Sequence, residues 1–288
     1  DWVGQRDNTF EKFICIGDKK SSLENSIFST YSRGAETGRD AWCYNFSKKG
    51  LTTNVRSMLE TYNAEVDKFT YACSGLAKTS FPNLDSVVTS DAALISWTSS
   101  LKSDAERFIK HSFNAESIVS GLYRPFAKQW IYFDEALTHR MGQFKKIFPS
   151  SSSKNIVLCL SGIGARSGFS VLMTSTLPNL HTIDTGQCFP LYLYESSAAL
   201  TSNKDDLFNS HEIDTCSSHI KHDGITDEGL KHFTDAYNGA SIRKEDLFYY
   251  IYGLLHSEEY KARYADNLSK ELPRIPAVKK FDDFMAFS

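Results

Sequence analysis

The chain has 288 residues, a net charge of −3, and 41% hydrophobic and 13% aromatic residues, a composition typical of a folded globular protein. It contains no long apolar run and no charged-then-apolar leader, so we expect neither a membrane span nor a signal peptide. Its six cysteines are widely spaced without a Cys-x-x-Cys pair, which favours a reducing, cytoplasmic setting over a disulfide scaffold. The opening DWVGQRDNTFEKF is typical of the interior of a longer protein, and we expect an excised fragment.

Charge is distributed unevenly along the chain. Residues 1–180 carry 21 basic and 17 acidic residues, a net charge of +4, whereas residues 181–288 carry 11 and 18, a net charge of −7. A polyanionic partner would therefore meet the first part. An asymmetry of this size also arises by chance in two-part proteins, and this alternative stays open.

Hydrophobic spacing predicts the elements in chain order. Apolar residues three and four apart predict a helix over about 51–69, and short runs such as SIVSGLYR, QWIYFD and NIVLCLSG predict strands between about 80 and 195, interrupted by a short helix near 101–109. Residues 196–224 are polar and indicate a loop or linker, whereas residues 225–288 have helical spacing, with Ser241 as a candidate N-cap. We therefore expect an α+β fold, with a mixed or antiparallel β-rich core over 1–195, flanking helices and a helical C-terminal subdomain.

Motifs for catalysis are missing from the sequence. Gly162, Gly164 and Gly168 follow a predicted strand, but the next segment is typical of another strand, so a turn is favoured over a dinucleotide loop. Arg166 on this loop could still be carried to a ligand. There is no nucleophile elbow, Walker loop or His-Glu-x-x-His, and without a Pro-Pro pair there is no Asn-Pro-Pro-Tyr methyltransferase motif.

One cluster has metal-ligating residue types. Cys216, His219 and His222 are three residues apart, with His211 or Asp223 as a possible fourth ligand. The stretch is polar and uncapped, and we expect a solvated loop and no metal.

Five long stretches, in order along the chain, resemble the C-terminal target-recognition part of type ISP restriction-modification enzymes. These stretches are DWVGQRD with FEKFICIGDKK, YSRGAETGRDAWCYNFSKKGL, GLYRPFAKQWIYFDEALTHRMGQFKKIFP, FSVLMTSTLPNLHTIDTGQCFPLYLYE and EDLFYYIYGLLHSEEYKARYADNLSKELPRIP. The resemblance covers nearly the whole chain and weakens only around residues 196–224.

The resemblance implies a module of a larger polypeptide that joins a nuclease, a helicase-like ATPase, a helical coupler and an adenine methyltransferase. It implies that the chain binds double-stranded DNA and presents a specific site to the upstream methyltransferase. It implies no cofactor for this chain, whereas the parent would use S-adenosylmethionine, ATP and Mg²⁺. The alternative from another class is a scaffold that docks the methyltransferase and coupler without contacting DNA.

Base contacts need arginine, lysine, asparagine or glutamine side chains that reach groove edges. Arg33 and Arg39 each lie beside a glycine that would allow close backbone approach, and Lys128 and Gln129 are expected at the turn that Pro125 predicts. With Arg166, these are the base-reading candidates. Arg39 could equally pair with Asp40 or brace a strand containing Trp42, Tyr44 and Phe46.

Other basic residues are candidates for phosphate contacts, or simply a basic surface. These are Lys48, Lys49, Arg140, Lys145, Lys146 and Lys154. Around Pro125 we expect the aromatic side chains to pack the core, namely those of Tyr123, Phe126, Trp130 and Tyr132.

Overall fold

A computed structural model describes residues 6–18, 26–150, 152–196 and 219–288. The chain forms two compact units, which we call the host unit (Asp1–Gly34 and Gly142–Ser288) and the insert unit (Ala35–Met141). Each unit has its own hydrophobic cluster. This division differs from the expected one, because residues 225–288 share a core with residues 10–28 and 158–191. The local pattern of hydrophobic and polar residues does not show which distant segments share a core.

The described residues form short strands and mostly short helices. The strands are β1 (Ile14–Cys15), β2 (Ser32–Arg33), β3 (Tyr44–Asn45), β4 (Ile118–Arg124), β5 (Ala127–Tyr132), β6 (Val157–Leu160), β7 (Val171–Thr174), β8 (Leu177–Pro178), β9 (Gln187–Pro190), β10 (Tyr192–Ser196), β11 (His219–Asp223) and β12 (Arg274–Ile275). The α-helices are α1 (Asp40–Cys43), α2 (Lys48–Cys73), α3 (Ser99–Glu106), α4 (Phe144–Ile147), α5 (Asp227–Ala236), α6 (Lys244–His256), α7 (Glu258–Arg263), α8 (Ala265–Leu268) and α9 (Phe281–Phe287). The predicted α+β class is confirmed, and no helix among the described residues is long and apolar enough to cross a bilayer.

The insert unit is built around α2, which extends the predicted helix at both ends. The Ser47 hydroxyl oxygen accepts from the Gly50 N–H at 3.3 Å and so caps the N-terminus. Apolar residues at helical spacing, including Leu51, Val55 and Tyr62, are fully buried. β5 lies between β3 and β4, and both pairings are antiparallel.

The β-rich segment begins later than the predicted position near residue 80. Within residues 80–195, strand pairing starts at Ile118, and residues 80–117 form α3 and isolated 3₁₀ turns. Val87 and Val88 have β-forming side chains, but both of their N–H groups donate to Leu84 O and close such a turn. Local backbone bonding therefore overrides their β propensity.

The host unit contains an antiparallel sheet in the order β2-β9-β6-β7. β1 pairs with β12, which joins the N-terminal segment to the C-terminal part of the chain.

The C-terminal segment is helical, as predicted. The N-cap of α6 is Arg243 and not Ser241, since Asp246 accepts from the Arg243 N–H at 2.9 Å.

The expected loop or linker over 196–224 is wrong at its C-terminal end. His219–Asp223 is strand β11, which pairs antiparallel with β10 from Tyr192↔Asp223 to Ser196↔His219. This pairing provides hydrogen-bond partners for the backbone N–H and C=O groups of the segment. Its polar side chains gave no hydrophobic pattern from which a strand could be predicted. Residues 197–218, including Cys216 and His211, lie outside the described residues.

Candidate nucleic-acid interface

The β4–β5 hairpin carries a basic, exposed tip. Arg124 pairs with Ala127, which leaves Pro125 and Phe126 as a two-residue loop, as the proline predicted. Because Asn45 pairs with Trp130, the chain after β3 runs toward the same tip and reaches α2. We call the exposed residues at this end the tip surface: Phe46, Lys48, Lys49, Phe126 and Lys128.

The N-terminus of α2 adds to the positive charge of the tip surface. The first twelve residues of this helix, through Leu59, contain three basic and no acidic residues. Helix N-termini carry a partial positive charge and free N–H groups, so lysines in the first turn increase a potential that favours anions. The Lys48 Nζ lies 4.1 Å from the centroid of the Trp130 ring, which ties the helix end to the hairpin.

Lys128 and Gln129 lie in β5 itself, directly after the turn. Lys128 is exposed, whereas Gln129 is half-buried opposite Gly121. Lys128 thus remains the more accessible of the two candidates for a base or phosphate contact.

The core prediction for the hairpin aromatics is wrong at Phe126. Tyr132 is buried and Tyr123 and Trp130 are half-buried, but Phe126 is 90% exposed and Phe46 is 77% exposed. Sequence reasoning missed both exposed rings. The available signal was Pro125, because a two-residue loop places the residue after the proline outside the ladder.

Arg39 is buried, with 3% of its surface exposed. Its Nη2 donates to Thr98 Oγ1 at 2.5 Å, and burial lowers the pKa of the guanidinium below its ordinary value. This placement favours the structural alternative for Arg39, but its partner is Thr98 and not Asp40. Trp42 belongs to α1, so the expected aromatic strand is reduced to Tyr44 and Asn45.

Arg140 lies on the insert unit and is exposed. Its N–H donates to Glu36 O at 3.1 Å, and its Nε lies 4.0 Å from Glu36 Oε2. A phosphate contact by Arg140 would compete with this ion pair.

Arg33 lies on the host unit, exposed at the end of β2 and paired with Gln187. The neighbouring Gly34 does not serve close approach to a ligand. A Cβ there would lie 2.4 Å from Asn179 O, so the glycine is required for packing against the backbone of residues 179 and 180.

Arg166 is exposed on the loop that joins the antiparallel strands β6 and β7. The strand after the glycines confirms the turn interpretation, since no helix N-terminus follows them. The Arg166 N–H donates to Asp184 Oδ2 at 2.7 Å, which fixes the loop backbone.

The remaining phosphate candidates of the host unit, Lys145, Lys146 and Lys154, are all exposed. Lys145 and Lys146 lie on α4, whose Phe144 and Ile147 are buried. The buried pair orients this helical turn with its lysines outward.

The structure gives no support for the metal cluster in the part that it describes, where no group of three or more ligating side chains converges. His219 and His222 lie on a strand, where residues three apart point to opposite faces. Asp223, the alternative fourth ligand, is the last residue of the same strand, whereas Cys216 and His211 lie outside the described residues.

Comparison with known proteins gives one family and several solved structures. The sequence model of the Type ISP C-terminal specificity domain matches residues 26–288. No curated protein matches the chain. The chain belongs to the family of Type ISP C-terminal specificity domains.

Three solved structures share this fold over 99% of the chain. They are a nuclease-deletion mutant of the Type ISP restriction-modification enzyme LlaGI in complex with a DNA substrate mimic (31% identity, TM-score 0.77), the ATP-dependent Type ISP restriction-modification enzyme LlaBIII bound to DNA (31%, 0.78), and a DrdV–DNA complex (32%, 0.81). The chain spans 19%, 16% and 26% of those proteins, respectively.

Proposed function

We propose that this chain is the sequence-specific DNA target-recognition module of a Type ISP restriction-modification enzyme. The observation that carries the proposal is membership of the specificity-domain family over residues 26–288, with solved relatives of the same fold in DNA complexes. The exposed basic residues of the tip surface and of α4 support it.

In this proposal, contacts divide into two classes. Lys48, Lys49, Arg140, Lys145, Lys146 and Lys154 hold phosphates and so fix the position of the module on the duplex. The exposed ends of Arg33, Lys128 and Arg166, with the half-buried Gln129, supply donors and acceptors to base edges.

The chain itself would perform no chemical step. It would present its site to an adenine methyltransferase and an ATP-dependent translocase and nuclease elsewhere in the same polypeptide, in the cytoplasm. S-adenosylmethionine, ATP and Mg²⁺ would be bound by those other parts.

A domain exchange tests the proposal. The C-terminal specificity domain of LlaBIII is replaced by this chain, and methylated positions are mapped by sequencing in DNA exposed to the chimera. We expect methylation at a new sequence. A chimera that methylates the original LlaBIII site would overturn target recognition and favour a scaffold role.

The salt dependence of binding tests the phosphate contacts. Lys49 is exposed in the first turn of α2, and losing one phosphate contact reduces the slope of log K against log salt by about 0.9. We expect this reduction for Lys49→Ala, measured by fluorescence anisotropy with duplex DNA. The matched control is Lys78→Ala, because Lys78 is also exposed but follows the opposite end of α2. Equal slopes for both variants would remove Lys49 from the interface.

A further inference from the structure

Phe126 has an unfavourable backbone conformation for its residue type. It is the second residue of the two-residue loop between β4 and β5, with φ of +63°. Pro125 fixes a negative φ before it, and a turn of this kind ordinarily takes glycine at the second position. A side chain with a Cβ is strained there, and such strain persists where the side chain has another use.

The ring of Phe126 also contributes nothing to packing. It is 90% exposed, and within the described ranges no aromatic ring or cation stacks on it. The hairpin therefore holds a large apolar side chain in water, at a strained position, where glycine would serve the turn better. Both features are explained if the ring is buried against a partner.

The surroundings of Phe126 identify the chemistry of that partner. Between Ile118 and Tyr132 the hairpin has two basic residues, Arg124 and Lys128, and no acidic residue. Lys48 and Lys49 lie on the neighbouring helix end, and Phe46 gives a second exposed ring. A polyanion with flat apolar faces fits this combination, and duplex DNA offers phosphates beside stacked bases.

We propose that Phe126 enters the duplex at the recognised site and stacks on a base, opening a base step while the lysines of the tip surface hold the flanking phosphates. This rests on the proposed function. Inserted apolar side chains partly unstack base steps and distort the duplex. Opening a step in this way would help a neighbouring methyltransferase to extrude its target base.

The test uses the full 288-residue chain, a 30-base-pair duplex that carries the site mapped with the LlaBIII chimera, low salt, and anisotropy titrations. Loss of one base stacked on an aromatic ring raises the Kd by about 5- to 150-fold. We therefore expect Phe126→Ala and Phe126→Gly to weaken binding by a factor in this range. The salt slope should stay unchanged, since a stacked ring releases no counterions, in contrast to Lys49→Ala. Phe126→Gly relieves the positive φ, so its melting temperature should equal or exceed that of the unsubstituted chain, which excludes misfolding as the cause.

The matched control is Tyr71, an exposed aromatic residue of the same unit. It is 85% exposed on α2, roughly 35 Å along the helix from Lys48. Tyr71→Ala should bind as the unsubstituted chain does. In addition, the emission of Phe126→Trp should be quenched by DNA more than that of Tyr71→Trp, because an indole stacked on a base loses fluorescence.

The outcomes separate the two proposals. If the unsubstituted chain binds duplex DNA but the Phe126 variants bind equally well and Phe126→Trp is not quenched beyond the control, base stacking is overturned and target recognition stands. If the unsubstituted chain binds no duplex at any salt concentration, both are overturned.

Discussion

The guanidinium of Arg39 is buried but has too few hydrogen-bond partners to offset the loss of water around its charge. Thr98 accepts from one nitrogen, whereas Nε and Nη1 are buried and have no hydrogen-bond partner among the described residues. Desolvation of a charged group disfavours the folded state unless hydrogen bonds or an opposite charge offset it. Arg39 therefore contributes through the packing of its stem, and its charge is a cost.

Replacing Arg39 by methionine tests this interpretation. Methionine keeps an unbranched apolar stem and removes the desolvated charge, and Thr98 Oγ1 retains Ser100 at 3.0 Å. We expect the free energy of unfolding, measured by urea titration, to stay equal or to rise by about 1–2 kcal/mol. DNA affinity should not change, whereas Arg33→Ala, at an exposed position, should lower it. Weaker DNA binding by a folded Arg39→Met would instead restore Arg39 as a contact residue.

Among the elements, the N-terminal segment is attached to the C-terminal helices through Asp7. Its carboxylate accepts from the Thr9 hydroxyl at 2.5 Å, the Thr9 N–H at 2.8 Å and the Arg263 Nε at 2.8 Å. The Thr9 hydroxyl, followed by Arg263, lowers the pKa of Asp7 from 3.8 to about 2. The Asp7 N–H donates to Asn267 Oδ1, so the same residue also reaches α8.

This pKa predicts a definite pH dependence. Because the folded state lowers the pKa, Asp7 stabilises the chain fully above pH 3.8, and the stabilisation is lost as the pH falls toward about 2. Asp7→Asn should therefore flatten the fall in melting temperature between these pH values, measured by circular dichroism. Thr9→Val should flatten it partly, since it removes the strongest donor. Parallel curves for all three proteins would show that Asp7 is not a source of the acid sensitivity.

The elements also show what the sequence can predict. Helix α2 and the β4–β5 and β6–β7 hairpins follow from apolar spacing, Pro125 and the glycines of the loop, because local geometry determines them. Strand β11 could not be predicted, since its polar residues are stabilised by pairing with β10. At the site, Lys48 and Lys128 are exposed as expected for binding residues, but the burial of Arg39 and the exposure of Phe126 depend on tertiary packing that no local pattern encodes.

At the scale of the whole molecule, the insert unit is a continuous segment whose ends are held together. In the host unit the Gln143 N–H donates to Ser32 Oγ at 3.0 Å, so the chain leaves and returns at adjacent points. In the insert unit the Arg140 N–H donates to Glu36 O, so the two ends of this segment also lie side by side. Close termini and a separate core are features of a segment that can fold alone.

We therefore expect residues 35–141, produced alone, to unfold cooperatively. Leu101 is fully buried in the core of this unit, and Leu101→Ala should destabilise it by about 2–5 kcal/mol, equally in the excised unit and in the full chain. Phe284→Ala, in the core of the host unit, is the matched control and should leave the unfolding transition of the insert unit in the full chain unchanged.

The excised unit retains the whole tip surface, so the effects of Lys49→Ala and Phe126→Ala on DNA binding should persist in it. A non-cooperative excised unit would show instead that the core of the insert unit needs the rest of the chain.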